Sequence, residues 1–178
     1  MAIDNKTYNN AINTLKNIGD NHLQIKTTTT GDIFEVNLEK NELFPIMHIN
    51  PVNVTTGQSE LNFNFQIFVM DLVSESSNWT QSNIQSANNL SNEQEVLSET
   101  LSICTDIIGA LRHGVMQSMT TVNDINQPIY FLDGEMTLEP FNERFDNLVT
   151  GFVFNITLTT INDFQTCNIP MLNRGTGE

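Results

Sequence analysis

Hydrophobic and polar positions alternate along this chain with two periods, and each period marks a different kind of element. Tyr8, Ala11, Ile12, Leu15 and Ile18 recur at three- and four-residue spacing, which predicts an amphipathic helix. Gly19 follows the last of them, where a left-handed stop is expected. Leu23, Ile25 and Thr27 then alternate with polar neighbours. Phe34, Val36 and Leu38 do the same after Thr30, Gly31 and Asp32, a pattern that predicts two strands joined by a tight turn. The run ELFPIMHINP predicts a further strand, bounded by Pro45 near its start and Pro51 at its end.

After the turn TTGQSE comes the most informative strand. Leu61, Phe63, Phe65, Ile67 and Val69 share one face, and Asn62, Asn64 and Gln66 share the other. Beyond Gln66 the second face turns apolar through Phe68, Met70 and Leu72, so the strand is expected to be covered on both sides at that end. A polar, aperiodic stretch over 74–90 reads as a long loop, with Trp79 and Ile84 as its apolar members. They either tuck back onto the domain or serve as contact anchors, since tryptophan is enriched at binding hot spots. These two are the candidate subunit-interface residues.

The next helix is expected from Ser91 to His113. Ser91 and Gln94 stand in capping-box register, Glu93 and Glu95 complement the helix dipole, and Gly114 ends it. Leu97, Leu101, Cys104, Ile108 and Leu111 form the expected apolar stripe, widened by Val96, Ile103, Ile107 and Ala110. So wide a face predicts packing across a sheet. An irregular stretch over 115–127 precedes PIYFLDGEMTLEP, where Asp133 and Gly134 predict a hairpin turn between two short strands. A last long strand begins near Leu148, and the pattern fades into a loose tail from about 163. One core is visible: a single α+β domain over 1–178, an antiparallel sheet packed against a long central helix and an N-terminal helix.

Charge changes the picture. Seven Lys and Arg face twenty-one Asp and Glu, a formal net charge of −14. Such a surface does not wrap DNA by neutralising phosphates, which takes Lys and Arg. The first residues lack the basic region and apolar run of a signal peptide, and no stretch of eighteen apolar residues predicts a membrane span.

No chemistry-bearing motif emerges. Glycine loops for phosphate, nucleophile elbows and zinc-helix motifs are absent. His22, His48 and His113 fall in three different elements and are expected to be structural; His113 complements a helix C-terminus. Asp71 is expected to be half buried and paired with a backbone amide or a basic residue. Glu135, Glu139 and Glu143 lack calcium-loop spacing and read as solvated acids. Cys104 reads as a small buried hydrophobe, and the spacing of Cys104 and Cys167 neither demands a disulfide nor forbids one. No catalytic, metal or cofactor site is expected.

The segments ELNFNFQIFVMDLV and NEQEVLSETLSICTDIIGAL resemble, in order, the strand and core helix of the tail-terminator and head–tail connector proteins of tailed phages. EPFNERFDNLVTGFVFNITLTT is similar to that family's closing portion, and the likeness is greatest to neck ring proteins of crAss-like phages. Together these segments cover about half the chain. The resemblance implies a tail-terminator-like fold and a non-catalytic virion protein made in the host cytoplasm. It also implies a six- or twelve-fold homo-oligomeric ring between portal and tail, with neck and tail proteins as neighbours. DNA would pass through the lumen without sequence-specific binding. A tail-tube subunit and a non-viral surface binding module are the alternatives from the same residues, and a motif-free hydrolase or isomerase is a third.

Overall fold

A computed structural model describes residues 8–33, 43–73, 92–113, 130–132, 134–144 and 148–161. They form an α+β fold in which two helices lie on one face of a mixed sheet. In chain order the elements are α1 (Tyr8–Asn21), β1 (Thr27–Thr30), β2 (Ile46–Thr56), β3 (Glu60–Leu72), α2 (Glu93–His113), β4 (Phe131–Leu132), β5 (Glu139–Arg144) and β6 (Leu148–Ile161). The sheet order is β1-β2-β3-β6, with β4 and β5 placed end to end along the far side of β6.

β3 and β6 are the spine. They pair antiparallel from Glu60–Ile161 to Leu72–Val149 without interruption. The alternation read from the sequence holds: Phe63, Phe65, Ile67 and Val69 are buried on the helix side. Phe154, Ile156 and Leu158 of β6 join them there, beneath Ala11, Leu15 and Ile18 of α1 and Ile103, Cys104 and Ile107 of α2. Each fully buried aliphatic side chain contributes about 1.5–3 kcal/mol relative to exposure. The apolar end of the second face is covered too, by a smaller cluster of Ile46, Met70 and Val149 flanked by Ile33, Phe44, Phe68 and Phe141.

Several expectations are corrected. α1 does not stop at Gly19 but runs on to Asn21. Gly19 is helical, and a Cβ on it would lie 2.5 Å from Thr28 Oγ1 and 2.8 Å from Met47 Sδ. Its missing side chain therefore lets the helix settle on β1 and β2. The first strand is Thr27–Thr30 rather than 23–27, and it pairs with β2 in parallel. The amide of Gly31 continues that ladder to the Ile49 carbonyl at 3.1 Å. The sheet is mixed for this reason. Phe34, Val36 and Leu38 lie outside the described residues, as does the tail from 163.

β2 does not end at Pro51. It runs to Thr56, with a register shift between Pro51 and Asn53. β1 flanks only Ile46–Ile49, so among the described residues β2 past that point is an edge strand, where proline's missing donor costs no ladder bond. The two short strands expected on either side of Asp133 and Gly134 do not pair as a hairpin: β4 and β5 both pair with β6, and Asp133 lies outside the described residues. Gly134 adopts a φ of 86°, and its carbonyl accepts a hydrogen bond from Arg112 Nη2 at the end of α2.

α2 begins at Glu93, and the amide of Val96 donates to the Asn92 carbonyl at 3.0 Å. Asn92 thus occupies the cap position expected at Ser91, which lies outside the described residues. The helix is also rotated from the expected stripe. Its buried line is Val96, Thr100, Ile103, Cys104 and Ile107, whereas Leu101 is 38% exposed. Thr100 tolerates burial because its hydroxyl donates to the Val96 carbonyl at 2.8 Å.

Candidate functional site

The candidate contact residues Trp79 and Ile84 lie outside the described residues, so the structure does not place them. Of the titratable residues singled out from the sequence, the side chains of His113 and Glu143 lie outside the described residues. Among the described residues no three His, Cys, Asp or Glu side chains gather as a metal site would require. No described helix is long and apolar enough to cross a membrane.

His48 is 1% exposed. Its Nε2 faces the Gly31 carbonyl at 3.1 Å, which can only accept, so Nε2 carries the proton. Nδ1, 2.8 Å from Thr29 Oγ1, then accepts from that hydroxyl. The ring thus pins β1 to β2. Burial holds its pKa below 6.5, against the opposing influences of the Gly31 carbonyl and the Asp32 charge. The unfolded chain therefore binds more protons than the folded one just below pH 6.5. Stability from this group is complete above 6.5 and is lost as pH falls from there toward the lowered value. Urea unfolding between about pH 7.5 and about pH 5.5 is expected to show that loss, and His48→Gln should flatten it. A wild-type stability unchanged across the window would refute this role.

His22 and Asp106 are brought together from distant positions, a pairing that no spacing in the sequence signals. His22 Nδ1 accepts from the Gln24 amide at 3.2 Å, which leaves Nε2 to face Asp106 Oδ2 at 3.5 Å. The pair stands at the rim of a groove of about 400 Å³ between the end of α1 and α2, floored by Ile18 and Ala110. Its lining residues include no Ser, Thr or Cys. Cys104 is a free buried thiol whose pKa burial pushes up to about 12, far from a reactive thiolate. Asp71 meets the amide partner expected of it: its Oδ1 accepts from the Leu72 amide at 2.7 Å. Burial raises its pKa, the amide opposes that rise, and the Glu99 charge adds to it. Glu135 and Glu139 are exposed.

What the fold does assemble is a surface. On the face away from the helices, three in-register rows cross β2, β3 and β6: Thr55, Asn62, Thr159; Asn53, Asn64, Thr157; and Asn50, Gln66, Asn155. Their side chains are tied to one another. Thr159 and Thr157 donate to Asn62 and Asn64 at 2.6 Å each, Asn64 donates to Asn53 at 2.6 Å, and Asn50 donates to Gln66 at 3.4 Å. The sequence marked Asn62, Asn64 and Gln66 as one wet face but not the register that joins them to β2 and β6. The result is an uncharged patch of mutually hydrogen-bonded side chains in a chain of net charge −14.

Residues 52–60, the outer end of β2 and its turn into β3, are exposed without a break. Residues 43–59 carry no Asp, Glu, Lys or Arg. Neither a protein-family model nor a curated protein matches the chain.

Proposed function

We propose that this chain is a non-catalytic structural subunit that assembles into a ring in the head–tail neck of a tailed bacteriophage, joining portal to tail around the DNA channel. The observation that carries the reading is the uncharged amide-and-hydroxyl grid on β2, β3 and β6, whose side chains are held by one another. A face whose side chains are already held loses little side-chain entropy on contact, which favours repeated subunit packing.

The resemblance of the β3, α2 and β6 segments to tail-terminator and connector proteins adds support, and with it a tail-terminator-like reading of the two-layer fold. A closed ring needs different surfaces in contact on neighbouring subunits. The two sides of this sheet differ: an uncharged β2 edge on one, and β5 with its glutamates on the other. The overall charge of −14 also suits a channel that must release DNA, because acidic walls repel phosphate.

Electron microscopy of the purified protein tests the proposal. Closed rings with a central hole are the expected image. Open-ended stacks would favour a tail-tube subunit instead, and isolated particles at every concentration would favour a binding module.

A further inference from the structure

We infer that the outer edge of β2 between Asn53 and Thr56, which has no neighbour among the described residues, is where a second copy of this chain adds a strand; the inference rests on the assembly reading above. Among the described residues this stretch pairs only with β3, so one row of its backbone donors and acceptors faces outward. Proteins usually guard such an edge with charge, proline or a bulge. Here the guards are Pro51 and the register shift beside it. They block addition at that point and no further, because regular pairing resumes at Asn53–Asn64 and continues to Thr56–Leu61. Beyond the guard, the edge carries no charged side chain. It presents Val54 at 42% exposure, next to Val52 at 56% on the bulge.

The charge distribution selects the occupant. Two copies at −14 each repel one another wherever carboxylates meet, over about 8 Å at physiological salt. The opposite margin of the sheet has Glu135 and Glu139 exposed beside it, and α2 carries Glu93, Glu95 and Glu99. A basic partner would be drawn to that side. An acidic partner meets least resistance at residues 43–59, which are free of charge, and a second copy is such a partner. Strand addition there would extend the sheet and bring the amide grid of one subunit alongside its neighbour.

The test uses the full chain with Val52→Glu and Val54→Glu combined, both at exposed positions, measured by light scattering after size-exclusion chromatography. The expected result is a multi-subunit mass for the wild type and the mass of one chain for the variant, with an unchanged far-ultraviolet circular dichroism spectrum. A variant that keeps the wild-type mass overturns this inference and leaves the ring reading standing. A wild type that remains a single chain at every concentration overturns the ring reading and this inference with it. Should the variant fail to fold, hydrogen exchange on the wild type decides. Protection at residues 53–56 that appears in the assembly and vanishes on dilution supports the edge, and equal exchange in both states overturns it.

Discussion

Gly151→Ala is expected to cost at least about 3 kcal/mol of stability, the upper range for forcing extra atoms into a packed interior. Gly151 lies in the middle strand pairing, opposite Met70 on one side and Phe141 on the other. A Cβ on it would meet the Val69 carbonyl oxygen at 1.9 Å and the Met70 Cα at 2.9 Å. These are backbone atoms of β3, so no rotamer change relieves the clash. β6 would have to move away from its partner in the longest ladder of the fold. The same position lies beside the edge-to-face contact of Phe68 and Phe141, ring centroids 5.7 Å apart, which helps close the second apolar cluster. Urea unfolding gives the answer: the midpoint should fall sharply with little change in slope. A midpoint within error of the wild type would show that the strands are not so closely apposed.

The second large effect contrasts two neighbouring aliphatic residues on α2. Ile103→Ala is expected to cost about 2–5 kcal/mol, because Ile103 is fully buried against the sheet and its removal leaves a cavity. Leu101→Ala should cost under about 1 kcal/mol, since Leu101 sits on the open flank of the helix. A simple count of hydrophobic residues ranks the two alike, or puts leucine first. Equal losses in paired unfolding curves would mean that the helix is rotated from the position described here.

That contrast also shows what the sequence could and could not reveal. The existence of α2, its length and its contact with a sheet were legible, since its apolar positions are many and its periodicity sustained. Its rotation was not. A hydrophobicity pattern weights Leu101 above Thr100, yet Thr100 is buried because the helix's own backbone satisfies its hydroxyl. β3 was read correctly on its helix-facing side and, after Gln66, at Phe68 and Met70 on the other, because period-two alternation reports burial directly; Leu72, expected to be covered, is 39% exposed at the strand's end. The parallel pairing of β1 was hidden for the opposite reason. Parallel neighbours are not joined by a turn, and four consecutive threonines carry no alternation to mark a face. Gly134 does adopt the positive φ that its turn signal implied, but pairing of both short strands with the long β6 strand overrode the hairpin.

For the candidate site, the sequence supplied the ingredients without their arrangement. Asn62, Asn64 and Gln66 declared a polar face, and the late threonines of β6 another. Only the register of three strands makes them one grid. The His22–Asp106 contact had no signal at all, because it depends on where α1 ends relative to α2.

Native mass spectrometry of the intact protein tests assembly most directly. The account predicts one dominant closed species with a single stoichiometry, six or twelve chains on the phage resemblance, stable across a dilution series. A lone chain at every concentration, or a ladder of open oligomers that lengthens as protein is added, would contradict it.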